Sequence, residues 1–379
     1  MAFTKSLITL ACAAAALAAN GAEVKIGGMV DTGLRFQHTS TGTGTGTSTN
    51  TLEMAEGMLN ANRIIFMGGE NLRPGTDLGF CLEASYASDS GEMKTEGSLF
   101  DRGSYIYIKD QDLGQVAFGR LGIMRSGATP LSFDITGARI NPFGTGWGNL
   151  ASPMYVMPFY GFPSSNMVQY DTPSFAGVKG HFQYSFDADT KGNNVVEGSS
   201  SADRYASAAF TWDSSVANLV FMADWMNEAS TSGDQEDALG LLFGGNVKLD
   251  PVKLYAFGTW FKGGDMIMPL PGLSDCRPLT GLDDIGGHAF SVGLRAPLLS
   301  GEFDLYAMRM SAEADDADAD GAHITRTSLV AGWKYDFTKR TSFYTAAGWF
   351  RDRTEYVNGD SSFKNPEAWQ VLAGIHHNF

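Results

Sequence analysis

Asp31 and Arg35 fall on one face of an alternating run from Val24 to Gln37, opposite Val30, Thr32, Leu34 and Phe36. Arg63 opens a second such run, in which Ile64 and Phe66 take the other face. Single charges spaced by two along strands do not make or break bonds. They set up a fixed field that orders water and sorts ions. Bond-making signatures are missing: there is no Gly-x-Ser-x-Gly, His-Glu-x-x-His, phosphate loop or Cys-x-x-Cys, and the six histidines are scattered. No enzymatic activity and no cofactor are expected. Glu313-Ala314-Asp315-Asp316-Ala317-Asp318-Ala319-Asp320 offers carboxylates to Ca2+ or Mg2+, with a bridge to lipopolysaccharide as one use. It lacks the glycine and terminal glutamate of an EF-hand loop, and like charges this dense equally suit a solvated loop. Cys81 reads as a small strand residue, and Cys276 lies in a loop-like stretch too distant to imply a disulfide framework.

The elements that carry these charges are strands. Residues 1–22 have a positive start at Lys5 and a small apolar stretch from Ser6 to Ala19, as in a secretory signal peptide. Residues 23–379 are expected to form one domain. Period-2 alternation recurs through about 16 segments, and no later stretch reaches the roughly 18 apolar residues of a membrane helix. Short turns such as Pro173–Gly177, Ser214-Ser215, Asp250-Pro251 and Thr338–Arg340 alternate with long connections at Thr39–Thr51, Gly263–Asp284 and Ala312–Ala322. Tight turns at one rim and long loops at the other are the pattern of a transmembrane antiparallel β-barrel, and closure removes the exposed edges of so wide a sheet. The fold class expected is therefore all-β. Rings near segment ends (Tyr105, Tyr107, Tyr170, Tyr184, Trp212, Trp225, Trp260, Trp333, Tyr335, Tyr344, Trp349 and Trp369) read as interfacial girdles or wall.

Several segments resemble the general Gram-negative porin family, the trimeric 16-stranded kind of neisserial and related proteobacteria. Val30–Gly33 resembles its first strand, and Asn62–Leu72 its second strand and turn. Asp101-Arg102 with Tyr105, followed by Leu113–Arg120, is similar to its next conserved stretch. Val168–Gly177 and Tyr335–Tyr344 resemble two later signatures, and the set runs in order along the chain. The resemblance implies an outer-membrane channel for passive diffusion of small polar solutes and ions, and a homotrimer. It also implies a long third loop, residues 121–165, folded into the barrel, and places Arg102 and Arg120 where the family has pore arginines. The terminal Phe379, after an alternating strand, is the feature such proteins present to the barrel assembly machinery.

The expected constriction is then Arg63, Arg102 and Arg120, opposed by Asp134 and loop carbonyls, with Arg35 and Asp31 nearby. Two readings of the arginines stand together: they line the pore, and they brace the third loop. Where relatives carry an acidic turn, this loop has Asn141-Pro142-Phe143-Gly144 and a single carboxylate, Asp134. That composition tilts the constriction toward anions, against a formal net charge of −15 for the whole chain, or −16 once Lys5 is lost. Acidic balance makes nucleic acid a poor partner. A solute-selective channel and a non-conducting adhesin or structural barrel remain alternatives; conductance separates them.

Overall fold

The computed structural model describes residues 23–42, 48–124, 164–188, 196–227, 237–264, 267, 270, 272–273, 284–314, 322–356 and 365–379. Seventeen strand segments form one antiparallel sheet. They are β1 (Glu23–Ser40), β2 (Ser48–Glu56), β3 (Arg63–Arg73), β4 (Thr76–Ser85), β5 (Gly103–Asp110) and β6 (Gly114–Leu121). After a long connection come β7 (Ser164–Asp171), β8 (Val178–Ser185), β9 (Arg204–Asp213), β10 (Ala217–Asn227) and β11 (Ala238–Leu249). The chain finishes with β12 (Val252–Gly264), β13 (Ile285–Leu298), β14 (Gly301–Ala314), β15 (Ala322–Asp336), β16 (Thr341–Tyr356) and β17 (Glu367–Asn378).

β1 pairs with β17 from Met29↔Asn378 to Ser40↔Glu367, so the sheet closes on itself. On its other edge β1 pairs with β2 over Thr32–Ser40 and with β3 over Glu23–Met29. β2 and β3 thus share one place in the wall, and 17 segments make a closed barrel of 16 positions. β2 is the strand that periodicity misses. Its residues STNTLEMAE are mostly polar, and its first four fall inside the stretch read as a Thr/Gly loop.

Alternation sorts the side chains as the pleat requires. Leu34, Phe118, Phe221, Phe290, Val292 and Leu329 are exposed on the outer face, while Glu83, Gln169, Asp304, Arg326, Asp352 and Gln370 are buried on the inner one. Tyr170, Trp212, Trp333 and Tyr335 face outward beside short turns, where Trp333 Nε1 donates to the Leu298 carbonyl at 2.8 Å. Trp225 and Trp349 face outward near long connections and donate to Asp237 and Glu367, each at 3.1 Å. Tyr105, Tyr107 and Tyr344 depart from this pattern: they occupy inner-face positions, and Tyr105 and Tyr344 are buried.

The inner face also carries an apolar cluster along β10–β17, including Met222, Tyr255, Tyr306, Met308 and Phe350. Ile267, Leu270 and Leu273 of the β12–β13 connection join it. Gly272, at φ +68°, sits against Gln37 and Thr39 of β1 so closely that a Cβ would collide with the Gln37 amide. That connection therefore reaches across the lumen to β1. Residues 125–163, most of the expected third loop, lie outside the described residues. The described stub, Leu121–Met124, is held on the inward Gln183, whose Nε2 donates to the Gly122 carbonyl at 2.9 Å and whose Oε1 accepts from the Met124 N–H at 3.0 Å. Residues 1–22, Cys276 and residues 315–320 of the acidic run also lie outside the described residues.

Candidate functional site

Arg63 stands at the first residue of β3, and Arg102 directly before β5. Between them β4 projects Glu83, fully buried, to the inner face. Arg63 Nη1 lies 2.9 Å and Arg102 Nε 2.7 Å from the same oxygen, Glu83 Oε1. Each guanidinium keeps 14% of its side-chain surface accessible, whereas Glu83 keeps none. Two cations thus share one oxygen of a buried carboxylate, and water exclusion around Glu83 strengthens the pairs. Arg63 Nε also donates to the Ala61 carbonyl at 3.0 Å, fixing the start of β3.

Arg120 is placed differently. It lies opposite Ser104 in the regular register of β5 and β6, on the parity of the exposed Phe118 and off that of Tyr105 and Gly119, and the pairing with β7 shifts register between Gly119, at φ +133°, and Leu121. Its Nε donates to the Asp101 carbonyl at 2.7 Å and its Nη1 to Ser165 Oγ at 2.8 Å. Arg120 thereby ties the end of the β4–β5 connection to the start of β7, on either side of the segment that begins at Leu121. Asp101 secures the same corner, accepting from the Ser85 N–H at 2.8 Å and Thr95 Oγ1 at 3.0 Å.

Arg35 pairs with Glu53 of β2, with Nε at 2.8 Å and Nη2 at 2.5 Å from one oxygen. Asp31 faces inward, as parity requires, but has no accessible surface. It clamps the break between β2 and β3. Its Oδ1 accepts from the N–H of Met58 at 3.0 Å and Leu59 at 3.4 Å, and from the Tyr344 hydroxyl at 2.5 Å. Its Oδ2 accepts from the Asn60 N–H at 3.2 Å and lies 3.2 Å from His376 Nδ1. Asn62 Oδ1 accepts from the Asp31 N–H at 2.5 Å. Residues 57–62 therefore bend inward from the wall, with Met58 and Leu59 buried. A carboxylate so fully satisfied presents no open charge to solute. Asp134 lies outside the described residues.

Sequence reasoning found the basic half of this site and missed its acidic half. Glu83 and Glu53 are the carboxylates that meet the arginines. The signal was present: Glu83 shares parity with Cys81 inside the otherwise apolar stretch Leu78–Ala84 of β4, and a charge there needs an inner-face partner. Further along the inner wall, Arg326 Nε and Nη2 grip the two oxygens of Asp352 at 2.8 Å each, both residues fully buried, and Arg295 Nε meets Asp304 at 2.7 Å. Among the described residues no group of three or more His, Cys, Asp or Glu is arranged to hold a metal ion.

A family profile described as Gram-negative porin matches residues 6–355. The chain is 26% identical to an outer membrane porin protein of Bordetella pertussis, covering 99% of this chain and all of the relative. It is also 26% identical to the major outer membrane protein P.IB of Neisseria meningitidis, covering 92% of this chain and 93% of that one. Among solved structures, an anion-selective porin from Comamonas acidovorans superposes with a TM-score of 0.60 at 20% identity, over 94% of this chain and all of that one. A trimer form of OmpT from Vibrio cholerae gives 0.57 at 13%, over 94% and 99%. At these identities the structures speak for the fold alone.

Proposed function

The chain belongs to the Gram-negative porin family and is an outer-membrane channel; from that premise we propose that Arg63, Arg102 and Glu83 form one wall of its constriction and tilt it toward anions. The observation that carries this reading is the sharing of one buried carboxylate oxygen by two partly accessible guanidinia. Residues 121–165, with Asp134, close the opposite side in this proposal, and Arg120 is the brace at their root. The acidic mouth opposes the tilt, but charges beyond a Debye length of about 8 Å are largely screened. The anion-selective relative from Comamonas acidovorans is in keeping with it.

The fold points to a channel rather than an enzyme. The remaining features of the proposal are removal of residues 1–22 on export, assembly as a homotrimer, contact with lipopolysaccharide at the long-loop rim, and recognition of Phe379 by the assembly machinery. The trimer form of OmpT supports the third chain copy. Phe379 is 46% exposed at the barrel seam, with its N–H donating to the Gly28 carbonyl at 3.1 Å and its ring lying against Gly28.

Reversal potentials across planar bilayers under a KCl gradient test the constriction. The wild type is expected to favour chloride, and Arg63→Ala and Arg102→Ala each to move the potential toward potassium. Selectivity unchanged in both variants would reduce the arginines to structural braces.

A further inference from the structure

On the short-turn side of the Asp31 clamp the inner wall opens into a cavity of about 450 Å³. It lies between the inward bend at residues 57–62 and the β15–β16 turn, and it is lined by Asn60, Lys334, Asp336, Lys339, Arg340 and His376, among others. Lys334 is partnered by Asp336. Lys339 and Arg340 sit exposed at the turn and have no carboxylate partner among the described residues. Counting the charges formally, three cations face one carboxylate, a local +2 in a chain whose net charge is −15. His376 is held by Asp31 on one ring nitrogen and by Asn378 Oδ1, 3.1 Å away, on the other.

Hydrogen bonds hold the backbone of the turn beside the cavity. Thr338 Oγ1 accepts from the N–H groups of Arg340 at 3.1 Å and Thr341 at 3.0 Å, and the Arg340 carbonyl accepts from the Asn378 N–H at 2.8 Å. A concave site with an excess of one sign of charge concentrates the opposite ion. A water molecule takes about 30 Å³, so the cavity holds a small oxyanion with part of its hydration shell.

We propose that this cavity is an oxyanion site at the short-turn mouth of the channel, distinct from the Arg63–Arg102 wall. It takes small solutes bearing a carboxylate or phosphate, with Lys339 and Arg340 as the primary contacts and Lys334 and Asn60 as further donors. The inference rests on the channel reading, since the site is useful only to a solute that passes it. It gives the pore two anion stations in series, one at each end of the inward bend.

The test uses chloride current through the full-length protein in planar bilayers, with inorganic phosphate or acetate added to one chamber at a time. The wild type is expected to be blocked at millimolar phosphate, more steeply from one side. In Lys339→Gln/Arg340→Gln the steeper block should weaken at least tenfold and the other side should stay as it was. Acetate acting as strongly as phosphate would identify carboxylate-bearing solutes as the main class, and a preference for phosphate the other. Equal block from both sides, or block unaltered in the double variant, overturns the site. If the wild type passes no current, the channel reading falls instead. The cavity is then read by 31P line broadening of phosphate on the detergent-solubilised protein, where broadening identical in wild type and double variant overturns it.

Discussion

At the residue scale the inner wall is organised around a few carboxylates whose loss leaves cations or backbone donors unmatched. Glu83 is the clearest. Replacing it with alanine strands Arg63 and Arg102 beside one another, and breaking a buried ion pair in this way costs on the order of 3 kcal/mol. Glu83→Ala should therefore unfold at lower urea in detergent than Glu83→Gln, which keeps an acceptor. Equal stability of the two would show that the pairs are incidental. Asp31 is a second such centre. Three backbone N–H groups, Tyr344 and His376 converge on it, and hydrogen bonds to a charged acceptor contribute roughly 1.5–3 kcal/mol each. Asp31→Ala should free residues 57–62, seen as faster proteolysis within that segment and as noisier single-channel current. Parity alone placed Asp31 on the inner face, whereas Glu83 was not singled out. What parity could not convey is whether an inward charge meets water or protein. Asp31 and Arg35 were readable as lumen-facing, yet their partners, the bend at 57–62 and Glu53, come from a strand break that leaves no periodic trace.

At the element scale, two of the departures from a plain wall among the described residues rest on one strand: the interrupted strand β2/β3 and the inward β12–β13 connection. β1 is the common anchor: it clamps the first through Asp31 and receives the second at Gln37 and Thr39. Gly272 permits that approach because it has no Cβ and a positive φ, a conformation that favours glycine. Gly272→Val should push the connection off β1 and raise single-channel conductance, while leaving heat stability of the barrel nearly intact. Conductance equal to wild type would place the connection outside the path of ions. Strands with strong alternation, such as β13–β16, were legible through their middles, while their ends run further, β14 reaching Ala314 inside the stretch read as a connection from Ala312. β2 was not, because Ser, Thr and Asn at both faces erase the contrast between them, and its pairing with β1 is set by closure of the sheet rather than by its own pattern. The long connections were legible as long, but which of them turns inward depends on close contacts such as Gly272 on Gln37, separated by more than two hundred residues.

At the scale of the whole molecule, the fold solves two solvent problems at once. Closure satisfies every strand edge inside the bilayer, and alternation gives lipid the apolar face while ion pairs such as Arg326–Asp352 populate the inner one. The asymmetry is testable at adjacent residues of β13. Val292 is 60% exposed on the outer face and Ser291 is buried on the inner one. Val292→Arg should cost about 2–4 kcal/mol if its side chain meets hydrocarbon, measured by reversible unfolding in lipid vesicles. A neutral effect would remove that face from the bilayer. Deleting Phe379 should leave the refolded barrel conductive in vitro but slow its assembly in cells, since the residue is 46% exposed and stands outside the buried core. The family and its barrel were legible from ordered motifs and period-2 runs because both are distributed over the entire chain. The Arg63–Glu83–Arg102 cluster was less so, since it joins residues from β3, β4 and the end of the β4–β5 connection.

The central claim is that this barrel encloses a continuous water-filled path for small polar solutes, and liposome swelling tests it most directly. Vesicles containing the purified protein, placed in isotonic solutions of neutral sugars of increasing size, should swell quickly with the smallest and progressively more slowly as solute mass rises. No swelling with even the smallest sugar, from protein shown to be folded by its heat-modifiable migration, would contradict the account.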